Sequence, residues 1–134
     1  MQSSEELKTV FEQLVQAFSH QDLDALSTLC HESVVCLGVL SPIRAEGKTA
    51  FLQVFKNFFS LYDRIQITPL DPHFQEIDAI GLAWGNIMFE IQPRGLESKT
   101  LYLRYSCTFA YSSGRWRLVA MHTSRLWHSE EPMP

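Results

Sequence analysis

Leu7, Val10, Phe11, Leu14, Val15 and Phe18 recur at steps of three and four residues, the spacing of a single apolar stripe along a helix. Ser3 or Ser4 can cap its start. The polar stretch His20-Gln21-Asp22 interrupts the stripe, and Asp22 suits the N-cap of a second helix that carries Leu23, Leu26 and Leu29 and ends near Cys30. The run Ser33-Val34-Val35-Cys36-Leu37-Gly38 is β-branched and closed by glycine, which reads as a short strand. Residues 41–47, with Ser41, Pro42, Arg44, Glu46 and Gly47, read as a loop. A third helix starts near Lys48. Phe51, Val54, Phe55, Phe58 and Leu61 or Tyr62 form its stripe, and Phe59 widens the apolar face.

From Arg64 onward the helical period is gone. Arg64 to Asp78 alternates apolar and polar positions around Pro69 and Pro72, as an irregular edge strand does. Ala79 to Gln92 reads as a long strand with Pro93-Arg94-Gly95 as its turn. Thr100 to Tyr111 alternates most regularly: Leu101, Leu103, Tyr105, Cys107, Phe109 and Tyr111 share one face. Ser113-Gly114 is a hairpin signal, and Arg115 to Trp127 forms the last strand. Long consecutive strands joined by short turns make an antiparallel meander, and three preceding helices must bury their stripes on one face of it. The fold class is therefore α+β: three N-terminal helices on a curved, mostly antiparallel sheet, with a conical cavity between the layers. Residues 1–128 read as a single domain and 129–134 as a frayed polar tail.

Composition narrows the function. The chain has 134 residues, 46% of them hydrophobic, and a net charge of −4, so a disordered chain and a general nucleic-acid binder are both disfavoured. Charge is uneven, −6 over residues 1–80 and +2 over 81–134. In the cationic part an arginine fork could hold a carboxylate, although scattered strand-face charge is the commoner case. There is no apolar run long enough to span a membrane, and the acidic start, Met1 to Glu6, does not resemble a secretory leader. Cys30, Cys36 and Cys107 are odd in number and lack metal spacing, which fits buried reduced thiols in a cytoplasmic protein and gives no metal or cofactor site.

Three segments carry a family resemblance: Arg104-Tyr105-Ser106-Cys107-Thr108-Phe109, Gly114-Arg115-Trp116-Arg117-Leu118-Val119, and His122-Thr123-Ser124. With Gly47 ahead of the third helix, they resemble the SnoaL-like branch of the nuclear transport factor 2-like superfamily over residues 3–127. The ending is also similar to that of the calcium/calmodulin-dependent kinase II association domain. The resemblance implies a cone-shaped half-barrel of cystatin-like type, a homodimer and a pocket inside the cone. It does not imply one activity, because the superfamily hosts enzymes, binders and assembly modules. Ser33 stands where many relatives place an aspartate. No catalytic set of the ketosteroid isomerase, epoxide hydrolase or scytalone dehydratase type transfers residue by residue.

A two-residue Ser113-Gly114 loop sets Tyr111 against Trp116, Phe109 against Leu118, Cys107 against Ala120 and Tyr105 against His122. A three-residue loop with a bulge would shift the register by one and exchange His122 for Met121. The first register collects the apolar residues on one side and makes His122 the leading candidate for proton transfer, with Tyr105 orienting an oxygen. A histidine with no placed partner is, however, more often structural. Trp84, Cys107, Phe109 and Arg104 complete the ligand-binding candidates, with Arg104 reaching the cone only if the strand is bulged. For Trp84, between the small residues Ala83 and Gly85, packing on a helix is the commoner case. Asp71 and His73 could line the mouth. Apolar positions on both faces of the last two strands point to a twofold dimer through the sheet. The leading reading is a small, largely apolar organic ligand in the cone, its carbonyl or carboxylate held by His122 or Tyr105. The alternatives are an acid–base enzyme of isomerase, dehydratase or cyclase type with His122 as proton carrier, and a non-catalytic assembly module.

Overall fold

The structure, a computed structural model, describes residues 4–38 and 44–125. The side chains of Ser3 and Ser4, residues 126–127 of the expected last strand and the tail from Ser129 fall outside the described residues. Helix α1 (Ser4–Ser19) and helix α2 (Leu23–Leu29) precede strand β1 (Cys30–Leu37) and strand β2 (Arg44–Glu46). Helix α3 (Lys48–Phe59) leads into β3 (Tyr62–Ile77), β4 (Ile80–Pro93), β5 (Lys99–Ser112) and β6 (Arg115–Arg125). The six strands form one sheet in the order β2-β1-β6-β5-β4-β3, antiparallel throughout except for the parallel β1–β6 pair. The α+β expectation holds in every helix and every long strand. One segment differs. Residues 44–46, read as loop, form β2, because Ala45 is buried between exposed Arg44 and Glu46 and pairs with Cys36.

Local chemistry fixes the corners. Asp22 Oδ1 accepts the Ala25 N–H at 3.0 Å and starts α2 as expected. Gln21 turns the chain at φ 55°, and its side-chain amide donates to the carbonyls of Phe59 and Tyr62, tying the α1–α2 corner to the end of α3. Ser113 and Gly114 both have positive φ, the geometry of a two-residue primed hairpin turn. The outer edge of β3 is blunted. The Ile67 N–H donates to Ser19 Oγ, Pro69 and Pro72 have no N–H to offer, and a bulge with Asp71 at φ 62° interrupts the ladder between Leu70 and His73.

The helices bury their stripes against the face of the sheet that carries Tyr105, Cys107 and Phe109. At the β5–β6 hairpin end this layer is closed: Leu7, Phe109, Trp116 and Leu118 are at most 2% exposed. Gly81 makes that closure possible, since a Cβ there would lie 2.7 Å from Leu7 Cδ1 and 3.1 Å from Trp116 Cζ3. At the opposite end the layers part.

Candidate functional site

The space between the layers is an apolar cavity of about 90 Å³. Its helical wall comes from the stripes that built α1 and α3, with Phe11 and Phe18 facing Phe55 and Phe59. The sheet wall is made by Ile87, Phe89, Leu103, Tyr105 and Cys107 on β4 and β5, with Cys36 and Met121 beside them. No described residue that lines it is an Asp, Glu, His, Lys or Arg. Among its lining residues, those that carry a polar atom are Thr123, two cysteines and one tyrosine, whose phenol oxygen is itself covered.

That phenol is Tyr105. Its ring stacks on Phe11 at 5.5 Å between centroids, and the residue is 7% exposed. Its hydroxyl is fully buried and has no hydrogen-bond partner among the described residues. Desolvation raises its pKa, with the nearby Cys107 and Asp71 adding to the rise, so it stays a neutral donor. The position of the hydroxyl is set by Gly85, directly across the β4–β5 ladder. A Cβ at Gly85 would stand 3.3 Å from the Tyr105 oxygen and 2.9 Å from the Asp71 carbonyl, so the β3 bulge can fold over this point only because position 85 has no side chain. Cys36, Met121 and Cys107 form a lateral row across β1, β6 and β5, and all three touch the cavity. Burial pushes the Cys36 and Cys107 thiols up to about 12, and Cys30, behind them, to about 12 as well, opposed there by Lys48. The three thiols are free and protonated at neutral pH.

The structure divides the expected site residues between two faces. Tyr105 and Cys107 line the cavity. Phe109 is on the same face but fully buried in the closed end, so it packs the core and does not line the cavity. Trp84, Arg104 and His122 all stand on the outer face. Trp84 is 39% exposed and stacks on His73 at 5.5 Å, and His73 in turn pairs with Asp71 at 3.2 Å. Trp84 thus faces away from the helices, and Asp71 and His73 are exposed on its side of the sheet rather than at the cavity wall. Arg104 is exposed between Asn86 and Ser124, where strict alternation puts it.

His122 is the main correction. The expected register holds from Ser112↔Arg115 to Phe109↔Leu118, and then a bulge at Val119 moves it by one residue. Beyond the bulge Cys107 meets Met121, Tyr105 meets Thr123, and His122 lies exposed between Ser106 and Leu37 on the outer face. Met121 and Thr123 therefore occupy the cavity wall in its place. The unbroken apolar run Leu118-Val119-Ala120-Met121 fits a regular strand covered on both faces as well as a bulged one, so it did not mark the shift. Among the described residues no cluster of His, Cys, Asp or Glu has the geometry to hold a metal ion.

Helices packed on one face of such a sheet, with a partly open cavity between them, define a half-barrel of the cystatin-like type. The chain belongs to the SnoaL-like domain family, whose sequence profile matches residues 7–127. The fold is shared with a nuclear transport factor 2-like protein of Streptomyces avermitilis, for which a dehydratase role has been suggested. The two are 15% identical, with a TM-score of 0.85 over 93% of this chain and 97% of that one. A suggested calcium/calmodulin-dependent protein kinase II association domain from Xanthomonas campestris is 14% identical, with a TM-score of 0.81 over 94% of this chain and 89% of the other. An uncharacterised cystatin-like protein from Caulobacter vibrioides is 9% identical, with a TM-score of 0.80 over 92% and 89% of the two chains. At these identities the likeness is one of fold. No curated protein matches the sequence. Among the described residues no helix is long and apolar enough to cross a membrane.

Proposed function

We propose that this protein binds a small, largely apolar organic molecule in the cavity between its helices and its sheet. The observation that carries this reading is the cavity itself: about 90 Å³ of space with almost wholly apolar walls, in a layer whose other end is tightly packed. At about 90 Å³ this cavity is smaller than the apolar cavity of roughly 150 Å³ known to accept benzene, but it is partly open, so a ligand of about one ring fits by extending into the mouth. The acid–base alternative has less support, because His122 stands on the opposite face and the cavity thiols titrate near 12. Three free, buried thiols favour a reducing, cytoplasmic setting. Titration with toluene, followed by the NMR shifts of the cavity methyl groups, tests the reading. Saturable shifts confined to the walls are expected, and Val15→Trp, which projects a larger side chain into the same space, is expected to abolish them. Shifts absent from the native protein would remove the reading.

The outer face of the sheet supports a homodimer. Val35, Leu37, Trp84 and Tyr102 are 39–54% exposed on it, four of the large apolar side chains that the described residues leave at the surface. A twofold axis would let this patch meet its own copy. Sedimentation is expected to give twice the 15.4 kDa chain mass, and Trp84→Glu to return it to the monomer. A native monomer at micromolar concentration would refute the dimer.

A further inference from the structure

Several residues that line the cavity stand at the ends of their elements. Phe18 is near the end of α1, Phe58 and Phe59 close α3, Gly38 follows β1, and Thr123 is near the end of β6. The mouth therefore lies away from the β5–β6 hairpin, where the layers part. Size sets what fills the depth. A ring that needs roughly 150 Å³ enters a space of about 90 Å³ only in part, whereas an unbranched alkyl chain is slimmer and can fill it carbon by carbon. The Tyr105 hydroxyl is covered, so it asks for no polar group on what enters.

The other end of such a ligand meets the rim. Residues directly opposite on antiparallel strands share a face, so the ladder says which side chains stand there. Arg125 is opposite Leu103, and Thr123 is opposite Tyr105. Leu103, Tyr105 and Thr123 all line the cavity. Arg125 is therefore on the same face, about 7 Å further along β6 than Thr123. It is exposed, in water rather than in the apolar depth. Lys99, opposite the buried Ile91, adds a second positive charge to this face further out along β5. Among the described residues, β1, β4, β5 and β6 place no carboxylate on the inner face between the cavity and this end. A carboxylate inside the cavity would lose its hydration with no described cation on the walls to replace it. At the rim it keeps water on one side and meets a guanidinium whose planar fork matches its two oxygens. Arg104, which the sequence offered for this role, stands on the outer face.

We propose that the cavity takes the tail of a slender amphiphile, an unbranched alkyl chain ending in a carboxylate, and that Arg125 holds the carboxylate at the mouth. This rests on the cavity being the binding site and adds the class of molecule that it selects.

Octanoate and 1-octanol share a chain and differ in the head. Each is titrated, at concentrations too low for micelles, against the native protein and against Arg125→Gln. The NMR shifts of the Ile87, Leu103 and Met121 methyl groups report entry into the cavity. Arg125 is exposed near the end of its strand, so the variant is expected to keep the native melting temperature, which is checked first. Octanoate is expected to bind the native protein more tightly than 1-octanol and to lose about three- to tenfold in Arg125→Gln, the range of an exposed guanidinium–carboxylate pair. 1-Octanol is expected to bind both proteins equally, and added salt to weaken octanoate alone. If the substitution leaves octanoate binding unchanged, or if 1-octanol binds the native protein as tightly as octanoate, the carboxylate at Arg125 is overturned while the cavity reading stands. If neither probe moves the cavity methyl groups but toluene does, the alkyl chain is overturned and the cavity reading again stands. If none of the three moves them, the cavity reading itself is lost.

Discussion

Raising the pH from 7 to 11 is expected to unfold this protein cooperatively, with most of the loss above pH 9. Cys30, Cys36 and Cys107 are buried, and each has a pKa pushed up from 9 to about 12. In the unfolded chain these thiols ionise near 9. Between 9 and 12 the unfolded state therefore holds fewer protons than the native state, and stability falls as pH rises. Each thiol contributes a slope of about 1.4 kcal/mol per pH unit in that window. At pH 10.5 the three together cost about 6 kcal/mol, a large part of the 5–15 kcal/mol by which domains are usually stable. Tyr105, raised in the same direction, adds to the loss above pH 10. Urea midpoints measured from pH 7 to 11 check this. The slope above pH 9 should lessen by about a third in Cys107→Ala. A midpoint that stays flat to pH 10.5 would contradict the buried placement of the thiols.

Gly85→Ala is expected to destabilise the fold by about 2–4 kcal/mol, combining an unfavourable backbone conformation with an overpacked contact. At φ +155° the glycine uses a region that L side chains rarely adopt, and its new methyl would meet the Asp71 carbonyl at 2.9 Å. That oxygen belongs to the backbone and cannot rotate away as a flexible side chain would. Gly114→Ala is the control. It also has positive φ, but nothing lies within 4 Å of its Cβ position, so a cost of about 1 kcal/mol is expected. Chemical denaturation of the two variants gives the comparison. Equal costs would mean that the β3 bulge does not pack on position 85. Because the same methyl would press on the Tyr105 hydroxyl, the change also tests how firmly that donor is held.

The helices were legible in the sequence because their stripes are long and regular, and β5 because its alternation is unbroken over twelve residues. That alternation alone put Tyr105 and Cys107 on the inner face and Arg104 on the outer one. β6 was only half legible. Its hairpin end followed from Ser113-Gly114, but a bulge at Val119 reverses the facing of every later residue, so His122 and Met121 exchange sides. Apolar β-branched residues do not announce a bulge, because Val119 fits a regular strand as well as a bulged one. Trp84 was misplaced for a related reason. A large aromatic in a strand reads as core, yet here it stacks on His73 at an exposed surface. The significance of Gly85 could not be read at all, since it depends on Asp71, which is distant in sequence and reaches it through the bulge in β3. The cavity itself arises from packing that is tight at Trp116 and open beyond Tyr105, a property of the assembled layers rather than of any one segment.

A crystal of the protein pressurised with xenon tests the central claim most directly, because xenon enters accessible apolar cavities and its position is read without reference to any assumed ligand. The account expects one strong xenon site between Phe18, Phe59 and Cys107, with the surrounding side chains little moved. A cone that admits no xenon, its space closed by the phenylalanines of α1 and α3, would contradict a ligand-binding cavity and favour the sheet surface as the working part of the molecule.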